Sequence, residues 1–439
     1  MKLPKNRFVA AGLLTRGLAR SSSVIGSLLP LLVTAAPLSA SAAAYYVRVD
    51  GNDSTCNGSV NAASTSAPNC SFRTIQKSAK VAVAGDNVSI QPGSFVESVK
   101  LRKAGTRAAP ILFSGPGATL KGNLTVTGQY ITIDGITISP PTSGGLYAIS
   151  LQGNHISLRN CLVTAYGAAA SEQATAIGFG GSFNTVEGCT IRDMNDIDVF
   201  HVWGHDNTIR NNDVTNIQQV NYNLNHTDFI QSWGYSGARA YNILVEGNVV
   251  SNSSAQLGNT SIDDQAGLHD WTFRNNVFYN IGNALFWGIP KSRFYNNVFY
   301  NVGKGQGYAL SLYTQPNYSS VGVEIVNNAF IANIGDVDFH STSVNQLAAY
   351  SNNYFATATF GPKSGTLGSD AVNGGDPKFK NVPAIDFRPL AGSVLIGRGQ
   401  SLASSFTTDG DGNIRSVAWD IGGFKYGGVV PPQDVKMTP

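Results

Sequence analysis

The chain has 439 residues, of which only 13% are charged and 48 are glycine. Its nominal charge of +3 comes from a basic leader; without residues 1–44, 25 basic residues face 27 acidic ones. That balance excludes a basic nucleic-acid or membrane-surface footprint.

The leader carries Lys2, Lys5, Arg7, Arg16 and Arg20, then VIGSLLPLLVTAA, then the small residues ASAAA. This is the pattern of a secretory signal, residues 1–44, cut near Ala42 to Ala44. The apolar run is short and broken by proline, and no later stretch approaches a spanning length, so no membrane span is expected. Export permits disulfides. Cys56 and Cys70 bracket the polar loop CNGSVNAASTSAPNC, where a bridge is expected, and no cysteine has the CxxC spacing of a zinc site.

Residues 45–85 read as a strand, this loop and a helix. TIQKSAKVAVAGD places Ile75, Ala79, Ala82 and Val83 at helical spacing, with Gly85 as the stop. Such a helix covers the open end of a stack of coils.

Residues 86–365 repeat. ISLRNCLV, NTVEGCTI, NTIRNNDV, NILVEGNVV, WTFRNNVF, SRFYNNVF, VEIVNNAF and AAYSNNYF share an apolar, variable, small-pair, apolar order. The second member of the pair is Cys161, Cys189, Asn212, Asn248, Asn276, Asn297, Asn328 and Asn353, at separations of 28, 23, 36, 28, 21, 31 and 25 residues. Fixed strands and turns with loops of free length make that scatter. Coils of this kind resemble a right-handed parallel β-helix, with an inward amide ladder at the turn and the two cysteines as small members of the column. A second alternating column runs through AISLQG, AIGFGG, VFHVWG and FIQSWG. It points Phe200, Val202, Ile230 and Ser232 inward, and His201, Trp203, Gln231 and Trp233 toward water. Residues 366–439 read as an irregular C-terminal cap and tail.

YYVRVDGND, FRTIQKSAKVAVAGDNVSIQPGSF, the NN repeats and DGNIRSVAWDIGGFKYG together resemble the secreted parallel β-helix proteins of the bacterial polysaccharide lyase type. The resemblance covers essentially the whole mature chain. It implies an all-β solenoid, a monomer, acting on an acidic polysaccharide by β-elimination. The architecture also carries hydrolases and non-enzymes.

Large outward groups concentrate between residues 193 and 313. Four of the five tryptophans fall within 203–287, and an indole suits the apolar face of a sugar. His226 and His201, with Asp228 and Asp198 to orient them, are candidate bases. Arg239 is a candidate neutraliser of the uronate carboxylate, as is Lys291, and Tyr222 or Tyr235 a candidate acid. Trp203, Gln231, Trp233, Asp264, Trp287, Lys291 and Tyr313 are expected to bind substrate. Asp263 and Asp264, with Asp193 and Asp196, supply oxygen ligands for the Ca²⁺ that the resemblance implies. Two alternatives stand beside the lyase: a glycoside hydrolase using Asp198, Asp228 and Asp264, and a carbohydrate-binding solenoid without catalysis.

Overall fold

The computed structural model describes residues 42–141, 146–166, 174–221, 226–233, 239–260, 267–314, 319–340, 342, 344–357 and 366–430. Its organising element is a column of inward apolar residues. Val88, Phe113, Ile133, Leu158, Val186, Ile209, Val245, Phe273, Phe294, Ile325 and Tyr350 stand opposite one another in parallel register. All are buried. Among the described residues twelve strands, from Ala44–Val47 to Ala349–Ser351, form this sheet, and the remaining faces of the coils merge into a second sheet of 19 strands. The fold is the expected all-β parallel β-helix.

The paired asparagines divide two tasks. The first member, as in Asn211, Asn275, Asn296, Asn327 and Asn352, takes φ between 52° and 61°, a left-handed turn that asparagine tolerates. The second turns its amide inward. Asn212 N–H donates to Asn248 Oδ1 at 3.0 Å, and the pattern continues through Asn276, Asn297, Asn328 and Asn353. Each Nδ2 also donates to a backbone carbonyl, for example Asn276 to Val245 at 2.9 Å. The thiols fit the same column: Cys161 N–H points at Cys189 Sγ, 3.4 Å away, and both cysteines are free and buried. A shorter ladder, invisible in the pair column, uses Asn184 and Asn207 on the turn before the first sheet.

Register is further marked by charge. Asp134, Arg159, Glu187, Arg210, Glu246 and Arg274 occupy one outward column. They alternate in sign and pair as Asp134–Arg159, Glu187–Arg210 and Glu246–Arg274, an arrangement that a one-coil slip would turn into like-charge contacts.

Both ends are closed. The helix Ile75–Val81 is capped by Thr74, whose Oγ1 accepts from Lys77 N–H, while Glu97 accepts from the amides of Ile75 and Gln76 at 2.8 and 3.0 Å. The helix ends at Ala82, and Val83 lies beyond it, exposed rather than packed on the core. Cys56 and Cys70 are bridged as expected. At the other end the cap folds back along the left-handed asparagines. Asn275, Asn296, Asn327 and Asn352 donate to the carbonyls of Thr408, Asp420, Gln400 and Arg398. Buried Arg415 clamps this junction, donating to Asn275 Oδ1 at 2.9 Å and to the carbonyls of Gly422 and Gly423.

Candidate active site

Strand Ile197–Val202 lies beside Asp228–Ser232, with Phe200 opposite Ile230 and His201 opposite Gln231. Phe200, Val202, Ile230 and Ser232 are buried, as their inward positions require. The other face departs from expectation: His201 and Gln231 are only 2% and 6% exposed. Tyr147 sets its ring edge-on to both His201 and Trp203, with centroids 6.2 and 6.1 Å away. Trp203 and Trp233 are neighbours at 4.9 Å but stand perpendicular, and Trp203 is 9% exposed. They are an edge-to-face pair packed around His201, not a flat platform for a sugar.

Two Asp–His pairs lie on these adjacent coils. His201 Nε2 meets Asp198 Oδ2 at 2.6 Å, while its Nδ1 lies 3.0 Å from Thr175 Oγ1. His226 Nδ1 meets Asp228 Oδ2, also at 2.6 Å. Asn259 Nδ2 lies 3.2 Å from His226 Nε2; an amide nitrogen only donates, so Nε2 accepts and the ring proton sits on Nδ1. Burial of Asp228, abetted by the Asp198 charge and opposed by the bond to His226, pushes its carboxyl up to about 6. The same hydrogen bond raises His226 above the ordinary imidazole range.

Of these four groups only His226 reaches solvent, with 37% of its side chain exposed; Asp198, His201 and Asp228 are at most 3% exposed. Of the three aspartates expected for a hydrolase, Asp198 and Asp228 are therefore buried rather than open to a substrate, and Asp264 lies outside the described residues. His226 opens into a cleft of about 710 Å³ where strands Asp213–Gln218, Val249–Thr260, Val277–Trp287 and Val298–Leu312 bend. Gln218, Gln219, Asn252, Gln256, Asn280, Asn283 and Lys304 line it.

Lys304 was not among the residues singled out from the sequence. The signal was present: VFYNIGN and VFYNVGK are successive coils in register from Val277 opposite Val298 to Ile281 opposite Val302. By sequence count Asn283 then corresponds to Lys304, although the register shifts there and the structure pairs Asn283 with Gln306.

The remaining candidates fall elsewhere. Trp287 is corrected to a core residue, 1% exposed, donating from Nε1 to Ser292 Oγ at 2.9 Å and packed on Trp271 and Phe273. Lys291 holds a left-handed turn before the first sheet, away from the cleft lining. Arg239 is exposed beside the aromatic pair, its N–H bonded to the Trp203 carbonyl. Tyr313 packs between Phe286 and His340 rather than in the cleft. Asp263, Asp264, Tyr222 and Tyr235 lie outside the described residues.

Calcium finds no ligand set among the described residues. Asp193 accepts from Asn216 and faces Arg192, and Asp196 accepts from the amides of Val220 and Asn221. The other two expected ligands, Asp263 and Asp264, lie outside the described residues, and no step is derived through the ion.

No family model matches this chain, and no curated protein sequence does. Its fold is similar to that of the pectate lyase Pel9A, at 17% identity and a TM-score of 0.57, over 87% of this chain and 96% of that one. It is also similar to the PL6 family polysaccharide lyase Pedsa3628 from Pseudopedobacter saltans, at 16% identity and a TM-score of 0.47, over 68% and 89% of the two chains. A mannuronic acid specific family 6 lyase from human gut microbiota gives 16% identity and 0.49, over 69% and 84%. The likeness to Pel9A is one of fold alone, and the chemistry has to be argued from the site.

Proposed function

We propose that the protein is an exported polysaccharide lyase that cleaves a uronic-acid-containing polysaccharide by β-elimination in the His226 cleft. The observation that carries this reading is His226 itself: half-exposed in the cleft, its Nδ1 held by a buried carboxylate and its Nε2 an acceptor. The pectate lyase likeness in fold and the disulfide, at home outside the cytoplasm, support it.

The chemistry follows from the groups present. The Lys304 ammonium pairs with the uronate carboxylate, so that charge developing at C5 is stabilised. Once substrate displaces the Asn259 amide from Nε2, neutral His226 takes the C5 proton there, and Asp228 stabilises the imidazolium that results. The C5–H electron pair forms the C4–C5 double bond as the C4–O bond breaks, and the leaving oxygen is protonated from water or from the imidazolium. Asp228 orients the ring; it touches no substrate.

The test is incubation of the purified protein with a panel of uronic-acid polymers, following the ultraviolet absorbance of the unsaturated product. Absorbance growing with cleavage supports the lyase. New reducing ends without absorbance replace it with hydrolysis, and binding with neither signal replaces it with a carbohydrate-binding solenoid. Repeating the assay after chelation tests the calcium expectation, with Asp263 and Asp264 as the ligands to substitute.

A further inference from the structure

A second amide column runs along the outside of the coils at this cleft. Asp193, Asn216, Asn252, Asn280 and Asn301 occupy equivalent left-handed turns, with φ between 50° and 58°. Asn216 Nδ2 donates to Asp193 Oδ1 at 2.7 Å, Asn280 to Asn252 Oδ1 at 3.1 Å, and Asn301 to Asn280 Oδ1 at 2.7 Å. Gln218 links Asn216 to Asn252, donating to the Asn216 side chain and the Asn252 carbonyl. Unlike the buried ladder, these amides meet solvent: Asn216 and Asn252 are exposed, and Asn280 and Asn301 half-buried. Each amide offers two donor hydrogens and two acceptor lone pairs, and the column spends only part of them. The rest recur once per coil, about every 4.8 Å, a step close to the length of one sugar in an extended glycan.

The charge of the cleft is as informative as its amides. Lys304 is the one permanent cation among the described lining residues; the others, His226 apart, are amides, serines and a glycine. A homopolymer of uronates brings a carboxylate on every sugar. Each one beyond the first would leave water for neutral partners, which do not compensate a full charge. Hydroxyl and acetamido groups match amides well.

Resting on the lyase reading, we infer that the substrate is a heteropolysaccharide in which single uronates are separated by neutral sugars, laid along the Asn216–Asn252–Asn280–Asn301 column with Lys304 engaging the one carboxylate in the cleft. The column is the track; Lys304 sets the position of cleavage.

The experiment compares kcat/KM on alternating polymers (glucuronate with N-acetylglucosamine, glucuronate with neutral hexoses) against the homopolymers polygalacturonate and alginate. A preference of about tenfold or more for an alternating polymer is expected. Equal or faster turnover of a homopolymer overturns the inference and leaves the lyase standing; no unsaturated product from any polymer sinks both. Asn280→Lys supplies a gain-of-function arm, since Lys291 shows that a lysine is accepted in a left-handed turn of this fold. It is expected to raise kcat/KM on the homopolymer about tenfold. No gain in a folded variant removes the charge argument.

Discussion

The backbone N–H of Asp228 donates to the Asp198 carboxylate at 2.7 Å, across 30 residues of chain. One coil thus hands its Asp–His pair to the next, and two carboxylates are buried together. The arrangement holds His226 in place at a cost in stability.

That cost is measurable. The folded Asp228 carboxyl, at about 6, lies above its ordinary 3.8, so the folded chain keeps a proton that the unfolded chain has lost. Stability therefore falls as pH rises from about 4 to about 6, and the penalty is fully present above that range. Asp228→Asn removes the charge and is expected to stabilise the fold by about 3 kcal/mol at pH 8 and by little at pH 4. Thermal unfolding at the two pH values checks this; equal shifts at both would refute it.

Activity should move the opposite way. His226→Ala is expected to lower kcat by about 10² to 10⁴ with the fold intact. Because Asp228 raises the His226 pKa and only the neutral ring accepts a proton, the acidic limb of kcat/KM lies above the ordinary imidazole range. Residual activity in Asp228→Asn should show that limb displaced to lower pH. An unmoved limb would assign it to another group.

Trp287 separates core from site. Trp287→Ala is expected to destabilise by about 3–5 kcal/mol, as large core truncations do, with KM unchanged in the folded fraction. A raised KM at unchanged stability would return the indole to the substrate.

The same residue shows where sequence reading ends. FIQSWG and ALFWG both end on a Trp–Gly step, which suggests equivalent tryptophans. The pairing runs Ile230, Gly258, Leu285, Leu310, which aligns Trp287 with Leu312 on the inward side. A one-residue slip exchanges the faces of a strand. The NN pairs, by contrast, were legible because the turn geometry repeats with the residue type, and the stack, the capping helix and the Cys56–Cys70 bridge followed from local pattern. His226 with Asp228 was legible through spacing. The burial of His201 and Gln231 was not, since alternation says which side a residue takes and nothing of what packs over that side.

The buried ladder can be tested by its own exception. Asn276→Ala leaves the Asn248 N–H and the Val245 carbonyl without partners and is expected to cost about 3 kcal/mol or more. Asn276→Cys should cost less, because Cys161 and Cys189 already serve in that column. Chemical denaturation of the two variants decides; the reverse order would exclude the thiol as a stand-in.

Arg415→Met should free the cap. The substitution strands Asn275 Oδ1 and the carbonyls of Gly422 and Gly423, with an expected loss of about 3 kcal/mol. Limited proteolysis should then cut first within residues 400–425, leaving the coils intact. Cleavage unchanged from the parent chain would show that the asparagine contacts hold the cap alone.

Those asparagine contacts bear on how such a chain changes length. The cap grips Asn275, Asn296, Asn327 and Asn352 through one side-chain type in one backbone conformation; Asn211 presents the same conformation two coils before Asn275, with Gly247 between them. A gene duplication of a whole asparagine-bearing coil would therefore offer the terminus an equivalent berth. Solenoids built this way are free to grow or shrink in evolution by the coil without reinventing their closure.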